Sequence, residues 1–138
     1  QLQQTQQNLQ QQGLDSLVNL VHSPLVDYSH QGRDYLYYSC DQQLEQIAKI
    51  YSGREAKILV LVDGPSTTKN PQARYPALPH LLKHLATHRL DIVLNDNLSA
   101  DEQLITEQWR ILLKDRSLEF TEHNWDCERG ALLISVNP

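Results

Sequence analysis

A strand, a helix and a second strand can be read from the middle of this chain. Residues 58–62, Ile-Leu-Val-Leu-Val, form an apolar run that stops at Asp63. A segment with leucines at helical spacing follows over about residues 77–88, and a second apolar run, residues 92–94, stops at the Asn-Asp-Asn of residues 95–97. The pattern predicts two parallel strands joined by a crossover helix. Ligands bind at the carboxyl ends of such strands, so acidic residues placed there are a functional clue.

The rest of the chain alternates in the same way. Ser39 with Gln42, and later Ser99 with Glu102, fit capping boxes at the starts of two further helices. The polar and aromatic segment 28–38 predicts a loop, and the Gln-rich start is typical of a helix or of a disordered tail. We expect a helix over residues 1–12, a strand over 17–21, a helix from 39, a strand over 57–62, a helix over 77–88, a strand over 91–94, a helix after 99, and strands over 118–121 and 131–136. Such alternation predicts a parallel sheet covered on both faces, closed by an antiparallel pair.

Composition excludes several classes of partner. The net charge is −5 and no basic stripe is present, which argues against nucleic acid as the main partner. No apolar run approaches the roughly 20 residues that cross a bilayer, so we expect no membrane partner. Cys40 and Cys127 lie far apart and predict two free thiols in a cytoplasmic protein. Because the chain has no Met and opens in a polar segment, we expect it to be a piece of a longer polypeptide.

Several segments carry the sequence motifs of one enzyme family. They are the Val-Asp-Gly-Pro of residues 62–65, the Arg-Tyr-Pro-Ala-Leu-Pro within residues 73–79, the Leu-Asn-Asp-Asn of residues 94–97 with Glu102 and Trp109, residues 13–25, and the closing hairpin around residues 129–131. Residues 62–65 resemble the end of the fourth strand of class I S-adenosylmethionine-dependent methyltransferases of a bacterial branch. Residues 73–79 resemble the start of that family's next helix, and residues 94–97 with Glu102 and Trp109 resemble the block after its fifth strand. Residues 13–25 resemble its third strand, and the closing hairpin resembles its antiparallel sixth and seventh strands.

The resemblance implies a fold. It implies one Rossmann-like α/β domain over residues 1–138, a three-layer sandwich with a mostly parallel sheet, an antiparallel C-terminal hairpin and no counterpart of the family's first two strands. It also implies S-adenosylmethionine as cofactor. The family's Gly-rich cofactor loop is absent, since no Gly-x-Gly occurs here, and Asn95 stands where the first of its paired acids is expected. The missing N-terminal half, or a second chain, would have to complete the sheet.

The resemblance also names candidate site residues. Asp63 would lie near the cofactor and the acceptor, with Asp96 beside it as a second catalytic candidate and Asn97 as a contact for the acceptor. Asp63, Asp96 and Asn97 together would offer the oxygen ligands that Mg²⁺ prefers, although strand-end Asp and Asn residues often satisfy only the amides of turns. Pro65 continues the same loop on the cofactor side.

Three further groups are candidates from their residue types. Arg74 and Tyr75 precede a helix beside the expected cleft and could hold the acceptor or an anion, or could simply anchor the loop. The tyrosines at 35, 37 and 38 could seal the core, or could stack on a planar acceptor or on adenine, and Tyr38 is our candidate for the cofactor. His22 follows a predicted strand and could act as an acid or base near neutral pH, or serve as a structural histidine.

The histidines at 80, 84 and 88 recur every four residues. That spacing suits a metal site. The three histidines do not belong to the leucine stripe of the helix, however, which favours a solvated flank of the helix as their place.

Three functional hypotheses remain. The first is the acceptor-side portion of an S-adenosylmethionine-dependent methyltransferase that acts on a small molecule or sugar. The second is a non-catalytic methyltransferase-like module for interaction or dimerisation. The third is a small α/β domain that binds an anionic metabolite.

Overall fold

The structure is a computed structural model that describes residues 1–68 and 70–138. Four α-helices and six strands follow one another in these ranges, with a 3₁₀ turn at Asp15–Leu17. The elements are α1 Leu2–Gln11, β1 Leu25–His30, β2 Arg33–Tyr38, α2 Asp41–Ile50, β3 Lys57–Val62, α3 Ala77–Leu85, β4 Arg89–Asn95, α4 Ala100–Asp115, β5 Phe120–Trp125 and β6 Ala131–Val136. In these ranges no helix has both the length and the apolar character needed to cross a membrane.

The larger sheet contains four strands in the order β3-β4-β6-β5. β3 and β4 are parallel, as the sequence predicted, while β6 is antiparallel to both β4 and β5. The sheet is therefore mixed, and the expectation of a mostly parallel sheet was wrong. The physical reason is that the last strand inserts between β4 and β5, which makes two of its pairings antiparallel. The antiparallel closing pair itself is confirmed.

The two faces of this sheet differ in burial. Val60, Ile92 and Ile134 lie in register on one face and belong to the core, together with the apolar sides of α3 and α4. The opposite face carries the row Leu61, Val93 and Leu133 beside Leu59, and we call these four residues the open face. Leu59 is 73% exposed and Leu61 is 68% exposed, and neither belongs to the core cluster.

The segment 28–38 is not a loop but most of a β-hairpin, so that prediction was wrong. β1 and β2 pair antiparallel around a two-residue turn at Gln31 and Gly32, whose φ angles are 51° and 78°. Left-handed backbone at both central positions is the geometry that joins two twisted strands, and Gly adopts it without steric cost. Tyr35 and Tyr37 lie on one face of β2 and are buried, while Leu36 between them is exposed, so the two tyrosines seal the core.

The predicted strand over residues 17–21 is absent. Leu17 ends the 3₁₀ turn, and residues 18–24 have no helix or strand. Leu17 is 78% exposed, and no strand lies alongside this segment to pair with it in the described chain. An apolar run becomes a strand only when a neighbour accepts its backbone hydrogen bonds.

Two helix boundaries also differ from expectation. α3 ends at Leu85 and not at about residue 88, and α2 begins after Cys40 without a side-chain capping bond, so the capping box of Ser39 and Gln42 does not form. Ser99 does cap α4, since its side chain accepts a hydrogen bond from the backbone N–H of Glu102.

Candidate functional site

The carboxyl ends of β3 and β4 bring Asp63 and Asp96 to one edge of the sheet, as their positions in the sequence predicted. Nδ2 of Asn95 donates a hydrogen bond of 2.9 Å to Oδ1 of Asp63 and so joins the two strand ends. Asp96 adopts left-handed backbone with φ 63°, a conformation that Asp tolerates better than most residues. This turn directs the chain from β4 toward α4.

The guanidinium of Arg74 lies between these two carboxylates. Its Nη2 is 4.0 Å from Oδ1 of Asp63, and its Nη1 is 3.8 Å from Oδ2 of Asp96. It also donates to the carbonyl oxygens of Asn95, at 3.2 Å, and Asp63, at 3.3 Å. Arg74 is only 7% exposed and Asp96 is partly buried, so water screens the contact between them less than the contact with the exposed Asp63. The arginine that was a candidate for binding the acceptor is thus the centre of the cluster.

Glu102 completes the cluster, although it was not among the predicted site residues. Its Oε1 is 3.1 Å from Nη1 of Arg74, and the residue is 1% exposed. Its other carboxylate oxygen, Oε2, has no hydrogen-bond partner among the described residues. Burial raises the pKa of Glu102 to about 7, and the charge of Arg74 offsets part of that rise. A carboxyl group with such a pKa can take up or release a proton near neutral pH.

The sequence held one signal for Glu102. As the third residue of a capping box, its side chain would return to the backbone N–H of Ser99. Only half of the box forms: Oγ of Ser99 accepts from the N–H of Glu102 at 3.2 Å, while the Glu102 carboxylate reaches Arg74.

Asn97 does not join the two aspartates, although it was a candidate metal ligand and acceptor contact. Its Oδ1 accepts a hydrogen bond of 3.1 Å from Thr106, and its Nδ2 donates to Asn124 at 3.3 Å. Among the residues that the structure describes, no group of three His, Cys, Asp or Glu side chains has an arrangement that could hold a metal ion.

Contacts with buried residues fix the position of the loop that carries Arg74. The indole Nε1 of Trp109, which is fully buried, donates a hydrogen bond of 2.9 Å to the carbonyl oxygen of Tyr75. The Tyr75 ring stacks on Tyr35 with centroids 5.0 Å apart, and its hydroxyl lies 2.9 Å from Nδ1 of His30. Tyr75 is therefore buried against the hairpin, and its neighbour Arg74 faces the sheet edge.

Arg74 and Asp63, whose side chains lie 4.0 Å apart, each line a different cleft. A polar cleft of about 390 Å³ is lined by Arg74, Asp96 and Glu102, with Arg129 at its rim. A more apolar cleft of about 480 Å³ lies beside the free edge of β3, and Asp63 and Tyr38 are among its lining residues.

Tyr38 closes the apolar cleft at the end of β3. Its hydroxyl occupies the space that a Cβ atom on Gly64 would need. Pro65, the third cofactor-side candidate, follows in a cis peptide bond and is buried. Tyr38 and Asp63 thus line the apolar cleft, and Pro65 is not among its lining residues.

His22 lies apart from these residues. It is exposed, within the segment that forms no strand, and it borders a different hollow beside Tyr38 and Cys40. The argument that placed it at a strand end therefore does not apply.

The three spaced histidines do not form a solvated flank, so that interpretation was wrong. His80 and His88 are buried, and His88 accepts a hydrogen bond from the backbone N–H of Ala56 at 3.2 Å. Asp41 lies 2.6 Å from Nε2 of His84 and 3.3 Å from Nδ1 of His80. The bond to His84 is the main reason that the pKa of Asp41 falls to about 2. This cluster ties α2 to α3 on the helical side of the sheet.

Comparisons with protein-family models, with curated proteins and with solved structures find no match for this chain.

Proposed function

We propose that this chain forms the acceptor-side portion of an S-adenosylmethionine-dependent methyltransferase that acts on a small molecule or sugar. The observation that supports it best is that Arg74 lines a polar cleft and Asp63 lines a more apolar one, while the two side chains lie 4.0 Å apart. A group-transfer enzyme needs adjacent places for donor and acceptor, since holding both in line supplies much of the rate enhancement.

The fold is compatible with this proposal. A parallel pair, β3 and β4, followed by an antiparallel hairpin is what the resemblance implies for the last strands of the family. In a Rossmann-like three-layer form, helices would also cover the open face. We propose that this layer, together with the Gly-rich loop, comes from the missing N-terminal half or from a second chain.

The apolar cleft fits one end of the cofactor. S-adenosylmethionine supplies an electrophilic methyl group on a positively charged sulfur. The carboxylate of Asp63 would attract that charge, and Tyr38 would present an aromatic surface in the same cleft. Because no Gly-x-Gly occurs in the sequence, this chain alone would hold the cofactor weakly.

The polar cleft fits an acceptor that is rich in hydroxyl groups. The carboxylates of Asp96 and Glu102 accept hydrogen bonds, and Arg74 and Arg129 donate them. Glu102, whose pKa is raised to about 7, would accept the proton of an acceptor hydroxyl as the methyl group is transferred. Glu128 also lines this cleft, so three carboxyl groups stand against two arginines, which makes an anionic ligand unfavourable and argues against the third hypothesis.

The residues present do not fit Mg²⁺. Arg74 already supplies positive charge between Asp63 and Asp96, and the side-chain oxygen of Asn97 is taken by Thr106. Both cysteines are free, and we place the protein in the cytoplasm on that ground.

Nuclear magnetic resonance tests the proposal. Adding S-adenosylmethionine at about millimolar concentration, where weak ligands begin to saturate, should shift the amide signals of Asp63, Gly64 and Tyr38. Asp63→Asn should abolish these shifts, while the control Asp115→Asn, on an exposed residue, should retain them. Unchanged signals in a folded sample would overturn the proposal.

The same experiment addresses the second hypothesis. A non-catalytic interaction module is favoured by one observation, the exposure of Leu59 and Leu61 on the open face. Such a module would leave the signals of the apolar cleft unchanged by the cofactor.

A further inference from the structure

Among the residues that the structure describes, β3 is an edge strand of the larger sheet, and one row of its backbone groups has no strand to pair with. The carbonyl oxygen of Ala56 accepts a hydrogen bond of 3.0 Å from the N–H of Arg89, so Ala56 faces β4. In a parallel strand, alternate residues direct both of their backbone groups to the same neighbour. The N–H and C=O groups of Lys57, Leu59 and Leu61 therefore face away from the sheet.

This edge lacks the features that normally prevent strands from pairing. Residues 58–62 contain no charge and no proline, and the strand continues without interruption from Lys57 to Val62. The opposite edge strand, β5, carries Glu122, His123 and Asn124 instead. Uncharged, extended edges are templates for another strand, whereas charged edges resist one.

The sequence of the strand is complementary to itself. In an antiparallel pair of two copies that is centred on Val60, Leu59 of one copy lies opposite Leu61 of the other. The same register sets Lys57 opposite Asp63, which follows the strand and whose carboxylate is 62% exposed, so that opposite charges lie near each other at each end. Leu59 and Leu61, which both face outward, then meet one another as hydrogen-bonded pairs.

Neighbouring registers are less favourable. If the pairing is centred on Leu59 and not on Val60, Glu55 of one copy lies opposite Asp63 of the other, and the two like charges repel. If the pairing is centred on Leu61, Lys57 lies opposite Pro65, which has no N–H to donate. Charge and hydrogen bonding thus select the register centred on Val60.

Pairing would also cover apolar side chains. Leu59 and Leu61 are 73% and 68% exposed, and the two copies would bring four leucines into one patch beside Val93. Removal of that apolar surface from water favours association.

We infer that β3 binds β3 of a second copy of this chain, antiparallel about a twofold axis at Val60, to form one continuous eight-stranded sheet. The inference goes beyond the proposed function, because it needs neither cofactor nor acceptor. A strand of an unrelated chain and a solitary monomer are the competing outcomes.

Sedimentation equilibrium gives the first test. Up to about 200 µM, where weak self-association is populated, the chain should reach a mass twice the 15.9 kDa of one copy. Leu59→Pro removes an N–H that faces away from β4, so it should leave a folded monomer. The matched control Asn124→Pro, at the other edge, should remain dimeric. A monomeric parent chain, or a dimer that Leu59→Pro leaves intact, would overturn the inference.

Cross-linking tests the register without relying on a proline variant. In a background with Cys40→Ser and Cys127→Ser, Val60→Cys places two thiols on the axis with Cα atoms roughly 4.5 Å apart. Oxidised glutathione should then convert most of the protein to a covalent dimer. In the control Ile58→Cys the thiols lie roughly 13 Å apart along the strands and should stay free. Equal cross-linking of both variants, or of neither, would rule out this register.

Discussion

Nη1 of Arg74 lies 3.1 Å from Oε1 of Glu102, and the two side chains are 8% and 2% exposed. A buried pair of this kind contributes little net stability when it is complete, because desolvation of both charges opposes their attraction. Loss of one member, however, leaves the other charge buried without compensation.

Arg74→Gln should therefore lower the free energy of unfolding by about 3–5 kcal/mol where Glu102 is ionised, near pH 8. The loss should shrink near pH 5, because a protonated Glu102 carries no charge to compensate. Urea denaturation followed by circular dichroism measures both values. Arg89→Gln, at a half-exposed ion pair, is the control, and an equal loss in both variants would contradict the expectation.

Glu102→Gln should change how stability depends on pH. Burial raises the folded-state pKa of Glu102 from 4.5 to about 7, so the folded chain binds the proton more tightly than the unfolded chain does. The contribution of Glu102 to the free energy of unfolding is complete below about pH 4.5 and is lost as pH rises through about 7. The free energy of unfolding should therefore decline by about 3 kcal/mol over this range. Urea midpoints across this range should fall in the parent chain and flatten in the variant. The exposed control Glu119→Gln should keep the parent slope.

Asp41→Asn should remove a contribution to stability that is present near neutral pH and lost in acid. Hydrogen bonding to His84 lowers the folded-state pKa of Asp41 from 3.8 to about 2, so its contribution is present above pH 3.8 and is lost as pH falls toward 2. Since the Asp41 side chain is half exposed and partly screened, we expect a loss of about 1 kcal/mol near neutral pH. Thermal unfolding at low and high salt checks this, with the exposed Asp27→Asn as control. A loss that salt leaves unchanged would argue against an ionic origin.

Trp109→Phe should weaken the support of the Arg74 loop. The variant leaves the carbonyl oxygen of Tyr75 buried without its donor and removes part of a fully buried ring. We expect a loss of about 2–4 kcal/mol. Trp125→Phe, at a ring that is 43% exposed, should change stability by no more than about 0.5 kcal/mol. Urea denaturation of both variants, followed by circular dichroism, separates the two cases.

The local parts of the fold were predictable where the sequence pattern is strong. The apolar run of β3, the leucine stripe of α3 and the run of β4 each report burial on one face, so their order fixed the parallel pair. Residues 17–21 have the same apolar character and yet form no strand, since a strand depends on a partner from elsewhere in the chain. For the hairpin the missed signals were Gly32 and the aromatic residues on either side of it, which are typical of strands.

The candidate site was predictable only in outline. Strand ends located Asp63 and Asp96, because the direction of a parallel strand determines where its carboxyl end lies. The position of Arg74 between them depends on the path of an irregular loop, which no periodicity reports. Glu102 was hidden because a capping residue and a buried ion-pair partner have the same local sequence.

β6 is the last strand in the chain but lies in the interior of the sheet, between β4 and β5. β5 pairs with β6 and with no other strand in the described chain, so it has no place in the sheet until β6 arrives. During synthesis, β3, α3 and β4 can assemble early, while β5 must wait for residues 131–136 to leave the ribosome. A nascent chain stalled before that point would expose the edge of β4 beside the still unpaired β5. Completion of this sheet therefore cannot precede the synthesis of β6, which both β4 and β5 need as a neighbour.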